Sequence, residues 1–199
     1  MRRRRGISTK TLVALLSLVL LLGCSLSGTL AWLADKTDPV TNTFTVGDID
    51  ITLVETTTDY KIVHGVNIAK DPKVTVEADS EACWLFVKVD EDNWPTFTES
   101  DGTTTTRKVN YTIAQGWEPL EGESGVYYRQ VGASDNAQEF YVLADNTVTV
   151  SSTLTKGEVQ GIGTGESAPT LTFTAYAVQQ EGVADAAAAW RIAQDTSAT

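Results

Sequence analysis

The chain has 199 residues, of which 42% are hydrophobic, and its formal net charge is −11 at pH 7. This length is sufficient for one domain with a hydrophobic core. The acidic excess argues against a nucleic-acid-binding protein, which needs a basic surface, and against attraction to anionic lipid. It is typical of a soluble or surface-displayed protein.

Residues 1–31 have the features of an export signal. Four consecutive arginines precede an apolar segment, Thr11–Gly23, that is shorter than a membrane-spanning helix. The small residues Thr29 and Ala31 predict that a signal peptidase cleaves between Ala31 and Trp32. Cleavage there removes five of the 15 basic residues and none of the 26 acidic ones, so the net charge of the mature chain is −16.

Two other interpretations of this leader stay open. In the first, the leader is not cleaved and anchors the chain in the membrane. In the second, Leu21–Cys24 acts as a lipobox and Cys24 is lipidated, although Leu22 is a poor match to the small residue usual there. Contact with a membrane is expected only through the uncleaved leader or through such a lipid anchor.

The mature chain has few cysteine and histidine residues, and its many paired carboxylates are expected by chance in so acidic a chain. Once Cys24 is removed, Cys83 has no intrachain partner for a disulfide. It lies in an apolar segment, 82–87, which predicts a small buried side chain. His64 is the single histidine, so a histidine-based zinc site and a supported Cys–His pair are both unexpected. We therefore expect no enzymatic activity and no cofactor.

The sequence predicts β-strands along most of the chain. Phe44 and Val46 alternate with polar residues, Ile49, Ile51 and Leu53 alternate on the opposite parity, and Gly47–Asp48 marks a bend between them. Turn residues separate further strands. We predict an antiparallel β-sandwich, jelly-roll-like, with these further strands: 61–66, 73–77, 83–90, 109–114, 126–131, 139–143, 147–154 and 171–178.

One C-terminal α-helix is predicted near residues 183–193. Val183, Ala186, Ala187 and Trp190 have the spacing of one helix face. The expected organisation is a signal peptide (1–31), an extended N-terminal segment (32–47), a β-sandwich domain (48–195) and a frayed tail (196–199).

A weak calcium site is the best metal candidate in the sequence. Asp90, Asp92 and Asn93 follow a strong strand and offer the oxygen ligands that hard cations prefer, although the spacing is not that of an EF-hand. The alternative is a solvated acidic loop, which this composition makes common.

Several segments together resemble a known family. They are Gly28–Ala31, Asn42–Gly47, Ile49–Leu53, Val74–Ala78, Trp84–Val89, Gly125–Gln130 and Thr172–Val178. The chain resembles the SipW-dependent signal-peptide class, the TasA/camelysin-like group of secreted bacterial proteins. The N-terminal segments are the specific part of this resemblance, since the later strands are common in sandwich proteins.

The resemblance implies a secreted structural subunit of an extracellular matrix or surface fibre on a bacterium. In such fibres the N-terminal segment that cleavage frees inserts as a strand into the next copy. Candidate donor side chains are Leu33, Val40, Phe44 and Val46, and residues 49–53 are expected to pair within their own domain. The partners implied are a signal peptidase and other copies of the chain.

Two alternative functions stay open. One is a monomeric adhesin or carbohydrate-binding module, in which Trp94, Trp117, Tyr127 and Tyr128 form a binding platform, although such aromatic residues more often fill a core. The other follows from the metallopeptidase label that some camelysin-like proteins carry. The chain has no His-Glu-x-x-His motif to support it.

Overall fold

A computed structural model describes residues 43–46, 48–56, 62–99, 101–164 and 167–197. All of them belong to one compact unit, Thr37–Thr199. Several predicted features lie outside the described residues: the export leader, its cleavage residues Thr29, Ala31 and Trp32, the alternative lipidation residue Cys24, and the donor candidates Leu33 and Val40.

The described residues form thirteen β-strands and two α-helices. The strands are β1 Thr43–Val46, β2 Ile51–Val54, β3 Ile68–Ala69, β4 Lys73–Val76, β5 Cys83–Asp92, β6 Phe97–Thr98, β7 Thr105–Thr106, β8 Val109–Ile113, β9 Glu118–Pro119, β10 Val126–Val131, β11 Gln138–Tyr141, β12 Leu143–Val150 and β13 Thr170–Gln179. The helices are α1 Lys156–Gly161 and α2 Ala186–Ser197.

Five strands form the largest sheet, in the order β1-β13-β5-β10-β9. Its centre is the antiparallel pairing of β13 with β5, which runs from Thr170 opposite Asp92 to Gln179 opposite Cys83. β10 continues the antiparallel pattern on the other side of β5. At the opposite edge, β1 runs parallel to β13.

The remaining strands form three smaller antiparallel sheets, β11-β4-β2, β3-β12-β8 and β6-β7. Two backbone hydrogen bonds connect the first two of them. The Val142 amide donates to the Pro72 carbonyl, and the Ala114 amide donates to the Val142 carbonyl, both at 2.9 Å. The chain therefore passes from β11 into β12 with its backbone polar groups satisfied.

Both faces of β5 are buried over Cys83–Val87, because apolar side chains occupy both parities of this part of the strand. Leu85 and Val87 lie in the main core, together with residues of β2, β4, β12 and β13. Trp84 and Phe86 point to the opposite face and form a second cluster with α2. We call this cluster the helix-side core; its buried members are Trp84, Phe86, Leu120, Val126, Val178, Ala186, Ala189, Trp190 and Ala193.

Helix α2 covers the sheet through Trp190. The Trp190 ring lies 5.3 Å from the ring of Phe86 and is 3% exposed. The Asp185 carboxylate caps the helix by accepting a hydrogen bond from the Ala188 amide at 2.8 Å. The predicted helix was correct in type, but it begins three residues after 183 and continues to Ser197, so residues 196 and 197 are helical.

The expectation of a mainly β protein with antiparallel sheets is confirmed. Local expectations were wrong at three places. The predicted strand 147–154 belongs to β12, so residues 144–146 are strand and residues 151–154 are not. Residues 62–66 form a turn in which Val63 and Val66 make an isolated bridge, because Gly65 adopts a positive φ of 65°. In addition, the sequence analysis predicted one helix, whereas the described residues contain a second one, α1.

Helix α1 is held at its N-terminus by a capping box. The Thr155 side chain accepts from the Glu158 amide, and the Glu158 carboxylate accepts from the Thr155 amide at 2.7 Å. The other carboxylate oxygen accepts from Lys108 Nζ at 2.8 Å. The Lys108 hydrogen bond and those from Thr155 hold the pKa of Glu158 at about 2, below its ordinary 4.5.

We expect Glu158→Gln to lower the free energy of unfolding at pH 7. The native pKa of Glu158 is depressed, so its contribution is complete above about pH 4.5 and is lost as the pH falls towards 2. The difference between the two proteins should shrink over that range in urea unfolding curves. Lys108→Met should show the same pH dependence. A difference that stays constant from pH 7 to pH 3 would contradict this account.

Candidate functional site: the β1 edge

Strand β1 lies at the outer edge of the five-stranded sheet. Its register with β13 places Thr43 opposite Ala175, Phe44 opposite Tyr176 and Val46 opposite Val178. In the described part of the chain, β13 is the one strand to which β1 is hydrogen-bonded. An edge strand of this kind has one row of backbone groups directed away from its sheet.

The chain changes sheets directly after β1. Val46 packs against the helix-side core, whereas Ile49, Ile51 and Leu53 are buried in the main core. A bend at Asp48 lies between the two sets, as the change of parity in the sequence predicts. The expectation that residues 49–53 pair within their own domain is confirmed for Ile51–Leu53, since β2 is antiparallel to β4.

Val46 lies beside a densely aromatic part of the helix-side core. Tyr176 and Trp190 meet edge to face with ring centres 5.0 Å apart. The indole nitrogens of Trp84 and Trp190 are buried without a hydrogen-bond partner. Burial also raises the pKa of Tyr176. This face of the sheet therefore depends on apolar contact, to which an incoming apolar side chain at the Val46 position contributes.

The contact between β1 and the domain is small. β1 pairs with β13 over four residues, whereas β13 pairs with β5 over ten. A backbone hydrogen bond contributes about 1 kcal/mol net. β1 is therefore held far less strongly than the centre of the sheet.

The predicted calcium residues are placed differently from the turn that the sequence suggested. Asp90 and Asp92 lie within β5, because β13 continues to pair with β5 as far as Thr170. Asp90 is ion-paired with Lys88 at 2.9 Å, and Asn93 donates to Asp92 at 3.3 Å. No group of three potential metal-binding residues occurs within the described ranges. Calcium binding there stays a prediction.

Cys83 and His64 belong to separate environments. Cys83 is completely buried in β5, and burial raises the pKa of its thiol to about 12. The prediction of a buried cysteine is therefore confirmed. The His64 ring lies in the turn after residue 62, where Nδ1 is 2.6 Å from the Leu154 carbonyl oxygen. A thiol with such a raised pKa is a poor nucleophile at neutral pH.

The four aromatic residues considered as a sugar platform do not form one surface. Trp117 is 7% exposed and donates its indole N–H to the Tyr141 carbonyl at 2.9 Å. Trp94 meets Tyr111 edge to face at 5.8 Å. Tyr127 packs against the main core and Tyr128 against the helix-side core, because adjacent residues of a strand point to opposite faces.

Comparisons with family models, with curated proteins and with solved structures found no match. Among the described residues, no helix is long and apolar enough to cross a membrane.

We expect the amide protons of β1 to exchange with solvent faster than those of Leu85 and Val87, by about tenfold or more. The physical reason is that β1 can detach locally, whereas β5 exchanges only when both cores open. Hydrogen–deuterium exchange read by NMR measures both sets in one sample. Equal protection of β1 and β5 would show that β1 opens only with the whole domain, and would remove it as an exchangeable strand.

Proposed function

We propose that this protein is a secreted structural subunit of an extracellular matrix or surface fibre, which polymerises by strand addition after its leader is removed. The observation that carries the proposal is the placement of β1. An N-terminal strand of four residues lies at the edge of the largest sheet and contacts both β13 and the helix-side core.

In the proposed fibre, β1 of one copy occupies the β13 edge of another. The exchanged strand would present the same residues to the same edge, so it would reproduce the register that pairs Val46 with Val178. Strand addition supplies backbone hydrogen bonds, and the apolar surface of the helix-side core that Val46 contacts supplies side-chain selectivity. A head-to-tail contact of this kind that does not close on itself produces a filament.

The proposed architecture of each subunit is a jelly-roll-like β-sandwich. The five-stranded sheet forms one layer, and β2, β4, β11, β3, β12 and β8 form the other. The main core supports this arrangement, since it combines Val87 and Ala175 of the first layer with Val74 and Val148 of the second. The opposite face of the five-stranded sheet is covered by α2.

The remaining features of the proposal come from the sequence. Export and cleavage after Ala31 free the segment that begins at Trp32, and Leu33, Val40, Phe44 and Val46 are its donor residues. The resemblance to the TasA/camelysin-like group supports an extracellular, non-enzymatic role on a bacterium. Signal peptidase and other copies are the proposed partners, and no cofactor is required.

We expect a protein carrying Phe44→Asp and Val46→Asp to remain folded but to lose polymerisation. The carboxylate at position 46 would be placed against the apolar helix-side core, where burying an unpaired charge is strongly unfavourable. Val54→Asp is the matched control, because Val54 lies on edge strand β2 but is 48% exposed. Sedimentation and negative-stain microscopy measure polymerisation, and circular dichroism verifies the fold.

Mass analysis of the secreted protein defines the starting material for this experiment. A mature N-terminus at Trp32 is expected, and retention of residues 1–31 or a lipid on Cys24 would contradict the proposed processing. Fibres formed by the double variant as efficiently as by the parent would contradict the donor role of β1. A parent protein that stays monomeric at high concentration would leave the adhesin alternative in its place.

A further inference from the structure

Most basic side chains of the described residues are neutralised by a carboxylate of the same chain. The ion pairs are Lys70–Glu55, Lys73–Glu139, Lys88–Asp90, Arg107–Glu91 and Lys108–Glu158. Within the described part, Arg129 has no such carboxylate. It differs from the exposed Lys156 and Arg191 because it is half-buried. An isolated cation of this kind is unexpected in a chain with 26 acidic residues.

The Arg129 guanidinium lies between two aromatic rings. Its central carbon is 3.9 Å from the ring centre of Phe140 on β11 and 5.3 Å from that of Trp117. Gly116 borders its outer side, since a Cβ at Gly116 would lie 2.9 Å from Arg129 Nη2. The side chain therefore lies between β10, which carries it, and β11 of a smaller sheet. β10 is separated from β1 by β13 and β5 in the five-stranded sheet.

The internal contacts leave this cation incompletely stabilised. Arg129 Nε is buried without a hydrogen-bond partner. Burial lowers the pKa of Arg129, but an arginine remains charged in proteins. Stacking on aromatic rings offsets only part of the cost of burying a charge that has no carboxylate partner. A carboxylate approaching the terminal nitrogens would supply the counter-charge that the rings do not provide, through two charge-assisted hydrogen bonds.

We propose that Arg129 receives an acidic side chain from another copy of this chain in the assembled fibre. This inference rests on the proposed function. The mature chain has a net charge of −16, so copies repel one another unless opposite charges meet at their contacts. Five of the described basic residues already have partners within the chain, and exposed cations contribute little to an ion pair. Arg129 is preorganised by Phe140 and Trp117, which reduces the entropy lost on binding.

The first test compares Arg129→Met with the control Lys156→Met in protein lacking residues 1–31. Both variants remove one positive charge, and methionine keeps much of the stem that covers Phe140 and Trp117. We expect Arg129→Met to raise the critical concentration for assembly by about tenfold or more, as for loss of a charge-assisted hydrogen bond. Lys156→Met should leave it nearly unchanged. Equal assembly of the two variants would overturn the inference.

A second measurement does not depend on the folding of a variant. Fibres are assembled from a mixture of parent copies labelled with ¹⁵N and parent copies labelled with ¹³C. Solid-state NMR should then show a contact between a guanidinium nitrogen of Arg129 and a carboxylate carbon of Asp or Glu, which can arise only between copies. Fibres without this contact would overturn the inference and leave the exchange of β1 intact.

Two further outcomes separate this inference from the proposed function. If the parent protein forms no fibres, both proposals fail. If Arg129→Met assembles like the parent but loses binding to an acidic polysaccharide such as polygalacturonate, the site takes its carboxylate from a polysaccharide, and the contact between copies is overturned.

Discussion

The antiparallel pairing of β5 with β13 is the constraint on which the rest of the structure depends. β5 is apolar on both parities over Cys83–Val87, where it pairs with Ala175–Gln179 of β13, so neither face of the sheet there can be left in water. One face is covered by strands of the smaller sheets through Leu85 and Val87, and the other is covered by α2 through Trp84 and Phe86. The positions of the helix and of the smaller sheets both follow from this two-sided burial.

Two-sided burial also determines what the edges of the sheet can do. The edge of β13 lies next to both apolar clusters. A segment that covers this edge therefore has to contact one cluster and then the other. β1 and the segment after it do this: Val46 packs on the helix side, and Ile49 packs in the main core. The helix-side core would be more exposed if β1 left, and the proposed exchange of β1 between copies would keep it covered.

Charge affects the interaction between copies of the chain, whereas burial determines how each copy folds. A strongly acidic chain stays soluble, but its copies repel one another. Within the described ranges, carboxylates of the same chain pair with most basic residues, including Lys70, which is 5% exposed and lies 2.6 Å from Glu55. A half-buried arginine without such a partner is therefore the exception, and Arg129 owes its position to Phe140 and Trp117 instead.

The sequence by itself determined the local structure: the period-two strands, the bend before Ile49, the helix that buries Trp190 and the buried Cys83. These features depend on which side of a strand or helix faces the core. The spacing of apolar residues in the sequence, every second residue in a strand or every third or fourth in a helix, indicates that side. The capping box of α1 was also readable but was missed. Only the tertiary structure decided that β1 is parallel to β13 and that Arg129 has no carboxylate partner among the residues it describes. Backbone pairing is largely independent of side-chain identity, so the packing of the whole domain decides which strands are neighbours. The choice of neighbouring strands in turn decides which charged side chains meet.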